Sequence, residues 1–269
     1  MNFASTTALF ELAYPYLTAL SLAVARALGM VLITPAFNRL GLTGMIRSAV
    51  AVVIALPVAP AVFAALTSGQ DPSTLALMGL MIKEMTIGLL VGLVFGIPFW
   101  AAEVAGELID LQRGSTMAQL LDPLSAGESS ITSTLLSITL IALFFMSGGF
   151  TLAIDGLYRS YQLWPALEFM PVVGQGTALE IMRILDRVME IGVLMVAPIV
   201  IALLVADLLL AYVSRMAPQL HVFDLSLPLK NLLFSFLMVV YVAFLVPYML
   251  AELGNMRGLF QVLETAVNG

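Results

Sequence analysis

Residues 83–114, KEMTIGLLVGLVFGIPFWAAEVAGELIDLQRG, carry the pattern that decides the fold. Met85 to Ala102 contains no charged residue, a run close to the ~20 residues that cross a hydrocarbon core as a helix. Within it Gly88, Gly92 and Gly96 recur every fourth position. On a helix that spacing makes one bare stripe, against which another backbone packs closely. The spacing does not say whether that backbone belongs to this chain or to another. Glu103, Glu107, Asp110 and Arg113 follow at intervals of four, three and three, one face of the same helix continued. The simpler reading is a solvated face where the helix leaves the membrane; the other is a polar wall along an aqueous path.

The rest of the chain repeats the apolar theme. It is 61% hydrophobic and 10% charged, against roughly 25% charged in average soluble domains, which places it among integral membrane proteins. Further uncharged runs cover Ser48–Gln70, Ser129–Ile154, Ile191–Ala206 and Asn231–Ala251, and Leu12–Asn38 is interrupted only by Arg26. The sequence therefore predicts about six hydrophobic helices. Pro35, Pro57, Pro60, Pro98, Pro198 and Pro247 lie in or at the ends of these runs. Each removes a donor and crowds the preceding turn, so the helices are expected to be partly kinked and the subunit bent. No Lys or Arg precedes Arg26, so the basic start of a cleaved signal is missing and the first span is expected to stay. Arg39 and Arg47 after the first span, with no base after the second, place the N-terminus outside by the positive-inside rule. Arg159, Arg183 and Arg187 blur that bias.

Residues 112–134, QRGSTMAQLLDPLSAGESSITST, form a connector too long for a tight turn. Segments of that length are usually functional or disordered. This one alternates polar residues with Met117, Leu120, Leu121 and Leu124, apolar side chains that need burial.

Residues 188–269 read as a second unit after an N-terminal region 1–187. Two long apolar helices are joined by RMAPQLHVFDLSLP, residues 215–228. Pro218 stops the first, and Ser226 with Pro228 suits the start of the second. Asp207 lies eleven residues before Pro218 and Lys230 twelve after. A hairpin folding back there brings the two charges together, with Arg215 and Asp224 as a second pair nearer the tip. An ionisable residue within an apolar run is a functional candidate by default; an ion pair fastening the hairpin is the reading preferred. Lys83 with Glu84, Asp155 with Arg159, and Arg26 read as structural pairs or snorkelling side chains.

Several chemistries are absent. The chain has no Cys and one His, His221, which leaves no thiolate or His-based metal site and no catalytic triad. No phosphate-cradling loop, H-E-x-x-H or G-x-S-x-G occurs. The net charge of −6 is spread over the loops, so nucleic acid is not an expected partner. No enzymatic activity and no cofactor are expected.

RALGMVLITPAF (26–37), GLTGMIRSAVAVVIALPVAP (41–60), the central stretch 83–127 and SRMAPQLHVFDLSLPLK (214–230) together resemble the FliR/SpaR/YscT family, the T-type subunit of bacterial type III secretion and flagellar export apparatus. QRG at 112–114 and DPLS at 122–125 look more like the virulence injectisome branch. Where a Pro-Leu-Gly-like step is expected after the connector, Ile131-Thr132-Ser133 stands instead.

The resemblance implies an all-α, membrane-derived subunit of a helical, pore-forming hetero-oligomer, with a C-terminal helical hairpin. Its implied location is the bacterial inner membrane, with the assembled core protruding to the periplasmic side. The implied partners are two small hydrophobic export-gate subunits, the autocleaving export switch subunit, secreted polypeptides in transit and membrane lipids. The central loop of such subunits plugs the pore. Carried over, the plug includes Arg113, Gly114, Ser115, Met117, Leu120, Asp122, Pro123 and Gly127, with Gly114 and Gly127 as hinges and Asp122-Pro123 as an anchor.

Two other functions fit the residues less well. A secondary transporter would use Asp207, Lys230 and Asp155 as a charge relay, but such carriers show paired halves with interrupted helices, and no such repeat occurs here. An intramembrane enzyme lacks its nucleophile, base and metal ligands.

Overall fold

The computed structural model describes residues 3–41, 44–68, 72–114, 130–169, 175–217 and 222–268. Among the described residues the chain is helical, without strands. The elements are α1 (Phe3–Ile33), α2 (Pro35–Asn38), α3 (Gly44–Ala55), α4 (Ala59–Ser68), α5 (Thr74–Arg113), α6 (Ile131–Met146), α7 (Gly149–Leu163), α8 (Gln175–Met216) and α9 (Val222–Asn268). Four helices are long and apolar enough to cross a membrane, or up to six if each bent pair, α3 with α4 and α6 with α7, counts as one span.

The breaks do not all fall at prolines. Pro57 does lie in the turn between α3 and α4, whose axes differ by 64°. Pro98, Pro198 and Pro247, in contrast, sit inside helices that continue past them. The uncharged run 129–154 is broken instead at Gly148, whose φ is +82°. That left-handed conformation costs glycine nothing.

The chain divides into two compact units, each gathered from separate segments: Met1–Gly96 with Gly148–Arg183 and Asn255–Gly269, and Ile97–Ser147 with Ile184–Gly254. Helix α5 carries the chain from the first to the second.

In the first unit α1 packs on α3 and α4. Ala19, Leu22, Val62, Leu66, Leu80 and Ala166 form one buried cluster there. The glycine stripe of α5 serves contact within the chain. A Cβ at Gly88 would collide with the backbone carbonyl of Arg26, and one at Gly92 would stand 2.7 Å from the carbonyl oxygen of Met30. Gly29 of α1 returns the contact, since its Cβ would lie 2.9 Å from the Leu89 nitrogen. Gly96 is buried as well.

Beside this crossing lies a buried charge cluster. Arg26 donates from Nε to Glu84 Oε2 at 2.7 Å and from Nη2 to Glu84 Oε1 at 2.8 Å. It also donates to Ser160 Oγ and the Trp164 carbonyl, and its guanidinium sits 3.7 Å from the centroid of the Tyr161 ring. Lys83 pairs with Glu84 at 3.0 Å and donates to the carbonyls of Pro165, Ala166 and Glu168. Charges out of water are stable only when paired and fully hydrogen-bonded, and these are. The cluster ties α1, α5 and the segment after α7 together.

In the second unit the rings of Phe99 and Phe144 meet edge to face at 5.3 Å, joining α5 to α6. A Cβ at Gly192 would stand 2.9 Å from the Ala101 carbonyl oxygen, so α8 approaches α5 closely. Helices α8 and α9 run antiparallel. Asp207 pairs with Lys230, and Tyr241 Oη donates to the Met195 carbonyl at 3.1 Å. Both pairs straddle Pro218 nearly symmetrically in sequence, which only an antiparallel register allows. In the apolar windows of α8 and α9 only 28% and 11% of residues are buried within the chain. Most of the hairpin's apolar surface is therefore left for lipid or other subunits.

Candidate functional site

The C-terminal end of α5 gathers most of the described residues singled out around the connector. Asp110 is 2% exposed. Its two carboxylate oxygens accept from Ser130 Oγ, from the Thr132 backbone N–H at 3.1 Å and from Thr132 Oγ1 at 2.6 Å. Arg113, one turn on, reaches Asp110 Oδ1 at 2.8 Å and lies 4.7 Å from the centroid of the Phe234 ring. The face carrying these residues is thus not uniformly solvated. Glu107 is exposed and Glu103 half-buried, whereas Asp110 is turned into the protein.

The other partner in this contact is the first turn of α6. Ser130 is its N-cap, the Oγ accepting from the Ser133 N–H at 3.0 Å. A helix N-terminus presents unpaired N–H groups and a partial positive charge, so a carboxylate from α5 suits it. Gly106 stands one turn before Asp110, and a Cβ there would collide with the backbone of Ser133. Residues 106 and 110, four apart and on one face, together seat the start of α6 on α5.

Helix α5 ends at Gly114, whose φ is +81° and whose N–H reaches the Leu111 carbonyl at 3.2 Å. Such a left-handed glycine is a common helix stop. Lys230 Nζ donates to the Gln112 carbonyl at 2.8 Å and lies 2.8 Å from Asp207 Oδ1. Gln112 Nε2 donates to Asp207 Oδ2 at 2.9 Å. The orphan carbonyl of the last turn is thus satisfied by a cation from α9, and the side chain beside it by a carboxylate from α8.

Structure and sequence meet unevenly here. Asp207 and Lys230 are brought together at Gln112, while Arg113 pairs with Asp110 and Gly114 ends the helix beside them. Ser115, Met117, Leu120, Asp122, Pro123 and Gly127 lie outside the described residues, as does the side chain of Asp224, the expected partner of Arg215. The participation of Gln112, Ser130 and Thr132 was not foreseen. A signal for it existed in the Ser-Ile-Thr-Ser run at 130–133, a good N-cap sequence.

Comparison with known proteins adds a history to this geometry. Residues 17–256 match the family described as bacterial export proteins, family 1. The chain is similar to the Yop proteins translocation protein T of Yersinia pestis, 37% identical over 222 residues, covering 82% of this chain and 84% of that protein. It is similar to the secretion system apparatus protein SsaT of Salmonella typhimurium, 32% identical, with 81% and 84% covered. The flagellar biosynthetic protein FliR of Caulobacter vibrioides is 31% identical, with 79% and 84% covered. With the match spanning α1 to α9 and these relatives aligned over most of their length, the chain belongs to the bacterial export proteins, family 1.

Proposed function

We propose that this protein is a core subunit of the export gate of a type III secretion apparatus, of the virulence injectisome branch, and that it helps form and close the entry pore for unfolded substrate proteins. The observation that carries this reading is the similarity along residues 17–256 to relatives named for secretion and translocation. It is supported by the 37% identity to a translocation protein, against 31% and 34% to two flagellar ones.

In this reading the segment from about Arg113 to Ser130 is the plug, the role is not enzymatic, and no cofactor takes part. The largely uncovered hairpin α8–α9 offers surface for two small hydrophobic gate subunits, for the autocleaving switch subunit and for lipid. The assembled core would lie at the inner membrane and protrude to the periplasmic side. The N-terminal region 1–187 and the hairpin 188–269 would then engage different partners.

The test is deletion of residues 115–125 in a cell that carries the complete apparatus. Leakage of ions or small solutes and altered secretion are the expected results. Normal secretion with an intact permeability barrier would overturn the plug assignment. Purification of the chain from mild detergent as a lone monomer, with no small hydrophobic partners, would count against the subunit assignment itself.

A further inference from the structure

Helix α3 stops at Ala55 and α4 starts at Ala59, with their axes 64° apart. Two prolines flank the break. Pro57 has no N–H for the Val53 carbonyl and Pro60 none for the Leu56 carbonyl, the helical acceptors four residues back. Both of those residues are exposed, Val53 at 64% and Leu56 at 46%. Ile54 is only 5% exposed, and it loses its donor for another reason: the Val58 N–H turns to the Ala55 carbonyl at 3.0 Å. A buried carbonyl without a donor is costly. Tyr158 of α7 supplies one, its Oη donating to the Ile54 oxygen at 3.0 Å from 104 residues along the chain.

The tyrosine stands on a firm support. One turn on, Tyr161 Oη donates to the Ala23 carbonyl of α1 at 3.3 Å. Arg26 of α1 donates to Ser160 Oγ at 3.0 Å and to the Trp164 carbonyl at 2.7 Å. Helix α7 is therefore fastened to α1 independently of the bend. Proline alone does not account for the bend, because Pro98, Pro198 and Pro247 lie inside helices that continue. In a continuous helix the Val58 N–H would serve Ile54, so the tyrosine hydroxyl favours the bent form alone. A contact made in only one of two forms shifts the balance between them.

We propose that residues 44–68 are a two-state segment, one helix or two, and that the Tyr158 hydroxyl is the latch that holds the bent state. The bent form seats Val62 and Leu66 of α4 in the buried cluster with Ala19, Leu22, Leu80 and Ala166. Straightening draws them off it. A displacement of α7 is thus passed to α4 through one hydrogen bond. The latch lies wholly within the first compact unit, and it stands whether or not the export reading does.

The chain has no Cys, so spin labels attach specifically at Met45→Cys and Thr67→Cys, exposed positions near the outer ends of α3 and α4. Pulsed electron paramagnetic resonance reads the distance between them on the full chain in one detergent. Tyr158→Phe keeps the ring and removes the hydroxyl. Pro57→Ala with Pro60→Ala restores both missing donors. The latch predicts the parent's short distance in the proline variant and a longer distance in a share of molecules carrying Tyr158→Phe alone. With all three changes combined, the longer distance should prevail throughout. A proline variant that straightens with Tyr158 intact overturns the latch, since the prolines then hold the bend. Tyr158→Phe with the parent's single distance, or a triple variant as bent as the parent, overturns it as well, because packing on α1 then suffices. Should Tyr158→Phe alone fold too poorly to be labelled, the proline and triple variants decide.

Discussion

Arg26 and Glu84, 58 residues apart in sequence, face each other through two parallel hydrogen bonds of 2.7 and 2.8 Å, with neither side chain exposed. Removal of one member of a buried pair typically costs about 3–5 kcal/mol, whereas exchange of the whole pair for apolar residues is often nearly neutral. Glu84→Ala should therefore sharply reduce thermal stability in detergent. Arg26→Met combined with Glu84→Leu should lose less than Glu84→Ala alone. Lys83 then has its three carbonyl partners left to hold it. Equal losses in the single and double variants would show that the cluster does not act as a pair.

The crossing of α1 and α5 gives a second prediction. A methyl group at Gly88 meets only backbone atoms of Arg26 on α1, and one at Gly92 meets the Ile33 side chain and the Met30 carbonyl. Overpacking of this kind costs about 1–3 kcal/mol. Gly88→Ala should lower the midpoint of thermal unfolding more than Gly254→Ala, whose added Cβ would meet nothing within 4 Å. Circular dichroism melts of the two variants in one detergent decide it.

Asp207 and Lys230 separate two readings of the hairpin. Lys230 binds both Asp207 and the Gln112 carbonyl, while Asp207 is the more exposed partner at 38% against 12%. Lys230→Met should therefore destabilise the protein more than Asp207→Asn. Pairs with an exposed member contribute only about 0.2–1 kcal/mol, so the Asp207→Asn loss should be within that range, and secretion should persist. Abolished function in Asp207→Asn with unchanged amounts of protein would favour a charge relay instead.

Gly114 sits at φ +81°, a region that costs an L-residue roughly 1–2 kcal/mol. Asn tolerates it better than a β-branched residue. Gly114→Asn should consequently be milder than Gly114→Val in stability measurements, and equal effects would mean that the glycine is required for space alone. The side chain nearest its missing Cβ is the flexible end of Leu227, which can give way.

What the sequence revealed follows from range. Apolar runs, the fold-back near Pro218 and the glycine stripe are local patterns, and the helices α5, α8 and α9 stand where those patterns put them. The Arg26–Glu84 pair was invisible because nothing in either neighbourhood names the other. Asp110 was obscured by its own periodicity, since the spacing that suggests a wet face also brings it beneath α6. Pro98, Pro198 and Pro247 are accommodated inside helices, while the left-handed glycine at 148 marks a break. Gly106, a lone glycine between two acids, turned out to be a point of backbone contact.

That contact has a consequence for how such proteins diversify. With the start of α6 resting on the backbone of α5 at Gly106 and Ser133, the gap between the connector's two ends is fixed by helix packing and not by the connector. The entropy of closing a loop rises only about 0.6 kcal/mol for each doubling of its length. Changes in the length of the stretch between residues 114 and 130 therefore leave the helical frame as it is, and that stretch can vary while the rest of the protein stays put.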